Sequence, residues 1–229
     1  MSKVVGVIGG MGPEATVDFL RRVVAGTPAK NDDDHVRVLV DNNPKIPSRI
    51  AALIDGTGED PLPVLVAMAR GLEKQGADFL VIPCNTAHCY LPKIAEAVSI
   101  PLLDMVALAS AALATLSPKP RRIGMLASPA VQKVGLYAAR LQAAGFAAVF
   151  PDSTGEARML DVIRAVKANA LTPQHRRNYA DIAASLDADA YLIACTELSV
   201  IGPPDGLAGP HVDALDVLAS AAIKEAQGF

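Results

Sequence analysis

The chain has 229 residues, 51% hydrophobic and 20% charged, with a formal net charge of −3, the composition of an ordinary globular protein of one large or two small domains. No Lys/Arg stripe marks a nucleic-acid surface and no apolar run reaches transmembrane length. The reading is therefore a cytoplasmic protein with no nucleic-acid or membrane partner. Three cysteines, Cys84, Cys89 and Cys195, are too few and too irregularly spaced for a disulfide framework or a zinc site, so no metal is expected.

Apolar runs of strand length alternate with helical patterns. Residues 4–8 predict a strand, followed by glycines and a helix over 13–25 with Pro13 at its first position. This opening, VVGVIGGMGPEAT, fits the G-x-G-x-x-G/A dinucleotide fingerprint. Three features count against a bound dinucleotide. Pro13 removes an N–H that a pyrophosphate would use, Glu14 puts a negative charge in the first turn, and Asp41 lies later than the usual ribose ligand. The glycines are read instead as a mobile turn, with Met11 and Gly12 closing over a small substrate. The acidic run 31–34 is read as a solvated loop and His35 as a strand start. Further strands are predicted at 36–40, 79–83 and 100–103. Helices are predicted at 60–75, capped by Asp60, at 86–98 and at 104–116.

After the connector SPKPRR (117–122), strands are predicted at 123–127, 147–150 and 190–194, with helices at 130–143, 155–169 and 173–186. The segment IGPPDGLAGP leads to a last short strand and a helix from 214. Nearly continuous apolar strands between helices indicate parallel sheets covered on both faces.

A faint internal repeat underlies this order. GADFLVIPCNT (76–86) matches DADAYLIACTE (187–197), pairing Ala77 with Ala188, Asp78 with Asp189, Ile82 with Ile193 and Cys84 with Cys195. VVGVIGG (4–10) matches RIGMLAS (122–128), pairing Gly6 with Gly124. The chain is therefore read as two pseudo-symmetric α/β domains with the active site in the cleft between them. The first covers 1–103 plus 211–229 and carries Cys84. The second covers 104–210 and carries Cys195.

Each of these cysteines follows a buried strand at its carboxyl end, where open α/β sheets bind ligands. Cys84 precedes a helical pattern, whose dipole lowers a thiol pKa and whose N–H groups, with Asn85 and Thr86, suit a carboxylate. Thr196 and Glu197 follow Cys195. A lone cysteine at a strand end is commonly an inert apolar residue. A matched pair suits racemisation, in which one thiol removes a proton from one face of a carbon and the other returns it to the opposite face. Cys89 has no counterpart and is read as structural, and His88 as a helix-face residue rather than a base.

GGMGPEAT (9–16), DNNPKIPSR (41–49), PCNTAH (83–88) and CTEL (195–198) together resemble the aspartate/glutamate racemase superfamily, and specifically its aspartate racemase branch. The resemblance covers nearly the whole chain. It implies a cofactor-independent racemase of two pseudo-symmetric α/β domains, usually a homodimer, whose paired thiols fall on Cys84 and Cys195. It also implies Arg49 and Lys167 as partners of the substrate's side-chain carboxylate. Arg49 has physical support, since a guanidinium fork binds a carboxylate in bidentate fashion. The alternative for both cations is a solvated surface position. Asn85, Thr86 and Thr196 are expected at the α-carboxylate, with Ser128 joining them or capping the helix that begins at Pro129.

The glutamate racemase branch carries His where this chain has Glu197, which tilts the substrate towards aspartate or a broader acidic range. Cys195 is then activated by Glu197, by the backbone, or not strongly. His211 departs from the Val common among relatives. No pyridoxal lysine motif is evident, so carbanion stabilisation falls to hydrogen bonds at the α-carboxylate. The competing readings are a hydantoin racemase, maleate isomerase or decarboxylase on the same scaffold, a dinucleotide-binding domain, and a non-catalytic small-ligand binding protein.

Overall fold

Two separate parallel sheets organise the chain. The computed structural model describes residues 2–228, and of residues 54 and 55 only the backbone. By contacts the chain divides into one unit of Met1–Met105 with Leu215–Phe229 and a second of Val106–Ala214.

In the first unit, β1 (Val5–Gly9), α1 (Pro13–Gly26), β2 (Val38–Asn42), α2 (Leu62–Lys74), β3 (Phe79–Val81) and α3 (Leu91–Ala95) follow in order, and the strands pair as β2-β1-β3. β1 lies in the middle and is wholly buried, as an unbroken apolar run requires. β2 is an edge strand and stays partly exposed, including Val40. Leu65, Met68, Ala69 and Leu72 form the i, i+3, i+4, i+7 stripe by which α2 joins the core with Ile8, Leu80 and Ile82.

The second unit takes α4 (Met105–Ala114) from its second residue, then β4 (Arg122–Ala127), α5 (Pro129–Lys133), α6 (Ala138–Ala143), β5 (Ala147–Val149), α7 (Ser153–Lys167), α8 (Pro173–Ser185), β6 (Ala190–Ala194), α9 (Thr196–Ile201) and β7 (His211–Asp213). Its strand order is β5-β4-β6-β7. Met159, Val162, Ile163 and Val166 repeat on α7 the stripe seen on α2. After β7 the chain returns to the first unit through α10 (Ala214–Gln227).

The internal repeat is visible at the level of atoms. Gly6 pairs with Leu80 across β1 and β3, and Gly124 with Tyr191 across β4 and β6. A Cβ built on Gly6 would meet Leu80 at 2.6 Å and Ala77 at 2.9 Å, and one on Gly124 would meet Tyr191 at 2.7 Å and Ala188 at 3.1 Å. Small residues at matched positions thus let the same large neighbour cross the strand in both units. Asp78 accepts the Val4 N–H at 2.7 Å, and Asp189 accepts the Arg121 and Arg122 N–H groups at 2.9 Å, so both aspartates fasten the start of a middle strand.

Several expectations are corrected. The last short strand pairs with β6 through Leu192 and Val212, so 211–213 belongs to the second unit and the return falls after Ala214 rather than before His211. Residues 100–103 give only a bridge, Leu80 to Leu102, beside β3, since Pro101 has no N–H for a ladder. The helix over 130–143 breaks at Gly135, which has φ +62°. The helix over 86–98 is a 3-10 turn, Thr86–Tyr90, followed by α3, because Pro92 lacks an N–H and crowds the carbonyl four residues back. His35 ends a 3-10 turn over Asp32–Asp34 instead of starting a strand. That turn is closed by Asp34, which accepts the N–H groups of Lys30 and Asn31. A π-helical turn, Ala51–Asp55, and the short helix α9 were not expected.

Candidate active site

The glycine turn is packed, not mobile. Gly9 lies so close to Thr16 that a Cβ would come within 2.5 Å of it. Gly10, at φ +95°, would clash with the Asn43 carbonyl at 2.2 Å. Thr16 accepts the Gly10 N–H at 2.9 Å and donates to the Gly12 carbonyl at 3.2 Å, closing the turn onto α1. Met11 is buried in the same cluster as Ile46 and Met68, which corrects the picture of a side chain folding over substrate; only its backbone remains to offer a ligand.

Cys84 lies just beyond β3 and is buried, with Asn85 buried beside it. Its Sγ is 3.5 Å from the Thr86 hydroxyl. Below it, the Met105 N–H donates to His88 Nε2 at 3.1 Å. That nitrogen is therefore unprotonated, the proton sits on Nδ1, and Nδ1 donates to the Cys84 carbonyl at 2.9 Å. His88 is thus no base for the thiol. It is a clamp that holds the Cys84 backbone, a role the sequence signalled only by placing a His four residues after the Cys. Cys89 is exposed on the same 3-10 turn.

Arg49 is 9% exposed, which removes the solvated-cation alternative for it. Its Nη1 donates to the carbonyls of Pro47 at 2.9 Å and Ile46 at 3.4 Å, while its buried Nε has no partner among the described residues. No carboxylate pairs with it among the described residues. A buried guanidinium without a counter-ion is a place prepared for an anion.

In the second unit Cys195 follows β6 directly, and α9 begins at Thr196. Its Sγ donates to Glu197 Oε2 at 3.1 Å. Glu197 is buried, and its other oxygen, Oε1, lies 3.2 Å from the Nζ of Lys167 at the end of α7. Lys167 is partly exposed, with its charge turned to this buried carboxylate. Burial pushes the Cys195 thiol well above its usual pKa, and the Glu197 charge pushes it the same way, while Lys167 opposes them. Thr196 and Ser128 are buried at the matched strand ends, and neither hydroxyl makes a hydrogen bond to the described residues. Ser128 occupies the cap position of α5 without a side-chain cap bond.

A further polar group lies behind Cys195 that sequence reading missed. Tyr179 of α8 is 1% exposed and its hydroxyl has no hydrogen-bond partner among the described residues. It feels the charges of Asp213 and Cys195, and burial holds its own pKa well above the usual value. Asp213 is in turn bound by the Ser199 hydroxyl at 2.6 Å. A tyrosine on an apolar helix stripe carries no sequence signal beyond core packing. His211 is exposed at the start of β7, and no helix among the described residues is long and apolar enough to cross a membrane.

The profile of the Asp/Glu/Hydantoin racemase family matches residues 8–222. The chain is similar to the structure of an aspartate racemase from Picrophilus torridus, with a TM-score of 0.88 and 32% identity over 98% of this chain and 94% of that one. It is 28% identical over 209 residues to the broad specificity amino-acid racemase RacX of Bacillus subtilis (strain 168), covering 86% of each. A glutamate racemase from Thermus thermophilus shares the fold, with a TM-score of 0.65 and 19% identity over 99% of this chain and 82% of that one. The chain belongs to the Asp/Glu/Hydantoin racemase family.

Proposed function

We propose that the chain racemises acidic amino acids, aspartate foremost, using Cys84 and Cys195 as a pair of acid–base groups and no pyridoxal phosphate. The observation that carries this reading is the recurrence of a buried thiol at the end of the same strand in both units. The buried guanidinium of Arg49, which has no carboxylate partner among the described residues, supports an anionic substrate.

In this mechanism the thiolate of one cysteine takes the α-proton, breaking the C–H bond and forming S–H. The thiol of the other returns a proton to the opposite face, so the roles reverse with the direction of reaction. The electron pair left on the α-carbon delocalises into the α-carboxylate. Hydrogen bonds from Asn85, Thr86, Thr196 and Ser128 hold that carboxylate as it gains charge. Arg49 and Lys167 serve the side-chain carboxylate. Met11 contributes backbone only, and Glu197 serves Cys195. The working form is a cytoplasmic homodimer, which sedimentation of the purified chain and fractionation of its source cells would check.

Purified chain with no added cofactor is expected to interconvert L- and D-aspartate and to place solvent deuterium at the α-carbon of both. Cys84→Ser and Cys195→Ser should each lower racemisation by at least about a hundredfold, the usual contribution of a positioned acid or base. Near-normal turnover in either variant would overturn the two-thiol scheme. The likeness to a broad specificity racemase favours a second reading, a wider substrate range. Turnover of glutamate and neutral amino acids, alongside hydantoins and maleate, separates the two.

A further inference from the structure

Glu197 stands between two partners that make opposite demands on it. One oxygen accepts a hydrogen bond from the Cys195 thiol at 3.1 Å and the other faces Lys167 at 3.2 Å. The Lys167 ammonium against this carboxylate favours the negative charge on its oxygens, and the proton stays on the sulfur. Glu197 is almost wholly enclosed, whereas the Lys167 side chain is 38% exposed. An anion arriving from solvent therefore meets the lysine before it meets the carboxylate.

We infer that Lys167 and Glu197 form a ligand-operated switch, in which a carboxylate of the bound ligand draws Lys167 away and thereby lets Glu197 deprotonate Cys195. The switch rests on the racemase reading for its purpose, since it arms the second thiol only when an acidic substrate is present. Its proton balance is closed. The S–H bond of Cys195 breaks, an O–H bond forms at Glu197 Oε2, and the ammonium of Lys167 keeps its protons and pairs with the ligand. The negative charge moves from Glu197 to the sulfur, and the total is unchanged. The other ionisable groups facing this site are Tyr179 of α8, behind Cys195, and Asp213 of β7, beside Tyr179. Asp213 is held by Ser199. Burial and Glu197 raise the Cys195 pKa, in agreement with a thiol kept protonated in the ligand-free chain; Lys167 acts the other way on the sulfur, and the switch works because the lysine touches the carboxylate directly.

The test uses the full chain with Cys84→Ser and Cys89→Ser, which leaves Cys195 as the one thiol. Thiolate is read by its ultraviolet absorbance near 240 nm at fixed pH while succinate, a dicarboxylate with no α-amino group, is added. Butyrate, of similar length with one carboxylate, is the control. Succinate should raise the thiolate fraction by about tenfold, equivalent to about one pKa unit, and butyrate should not. Adding Glu197→Gln should abolish the rise by removing the proton acceptor. Adding Lys167→Met should make the signal independent of succinate, whereas Lys167→Arg should retain the dependence.

A flat signal with succinate overturns the switch, whether or not calorimetry shows binding. An undiminished rise in Lys167→Met overturns it too. Racemisation by the unmodified chain is measured in parallel. A flat signal beside active racemisation removes the switch and leaves the proposed function standing. A succinate-dependent rise beside absent racemisation does the reverse.

Discussion

The two units carry the same frame and arm it differently. In both, a glycine on the middle strand lets a large neighbour cross, an aspartate fastens the strand's start, and a buried cysteine follows the neighbouring strand. Around Cys84 the partners are neutral: a threonine hydroxyl 3.5 Å from the sulfur and a histidine ring whose two nitrogens are both spent on backbone groups. Around Cys195 they are ionic, a carboxylate that accepts the thiol's hydrogen bond and a lysine that balances the carboxylate. The difference teaches that symmetry of the scaffold does not extend to the charge around the two sulfurs. The thiols proposed to exchange roles have unlike neighbours, so damage to each should read out differently.

The largest expected effect comes from exchanging those neighbours one at a time. Glu197→Gln should lower turnover by about a hundredfold, since it removes a proton acceptor. Thr86→Val should cost about tenfold or less, the scale of one neutral hydrogen bond. The pH profile of Cys195 alkylation sharpens the contrast. Burial is the larger cause of its raised pKa and Glu197 the next, so in Glu197→Gln the profile should shift to lower pH yet remain above that of an ordinary thiol. Equal losses in the two variants, or an unmoved profile, would remove the asymmetry.

Much of the frame was legible in the sequence. Apolar strand runs, the 111-residue offset between the cysteines and the small-residue matches at Ala77 and Ala188 were enough to expect two parallel α/β units. What was not legible depended on contacts between distant segments. The burial of Arg49 comes from how the loop before the π-helical turn packs, which no periodicity records. The packing of the opening turn depends on Asn43, more than thirty residues later, so glycines that look permissive in sequence are in fact enclosed. The assignment of 211–213 to the second sheet required seeing which strand edge was open. The pairing of Lys167 with Glu197 joins the end of one helix to the start of another.

Structural disruption of the shared frame should cost stability in both units, unequally. Gly124→Ala would drive a Cβ to 2.7 Å from the ring of the buried Tyr191, which cannot turn aside. Gly6→Ala meets the tip of Leu80 at 2.6 Å, which can yield by rotating, and the Ala77 Cβ at 2.9 Å, which cannot. Both are overpacking changes, worth about 1–3 kcal/mol, with Gly124→Ala at the upper end. Urea denaturation of each variant checks the ranking. If either substitution were neutral, the matched close approach would not be a feature that holds the repeat together.

The smallest effect belongs to Tyr179 of α8. Its hydroxyl is buried without a partner, so Tyr179→Phe removes an unsatisfied group along with its oxygen and should leave stability at pH 7 unchanged or higher by up to about 1 kcal/mol. The alkaline range distinguishes it from a silent change. Folding holds the pKa values of Cys195 and Tyr179 above their unfolded values. Above about pH 8.5 the unfolded chain releases the Cys195 proton while the folded chain keeps it, and above about pH 10 the same holds for Tyr179. The folded state then binds more protons than the unfolded one, so stability falls as pH rises through each range. Cys195→Ala should flatten the first fall and Tyr179→Phe the second, read as urea midpoints at stepped pH. A loss of more than about 1 kcal/mol in Tyr179→Phe at pH 7 would show that the hydroxyl has a partner after all, and the contrast between the two cysteine environments would then need an additional hydrogen bond behind Cys195.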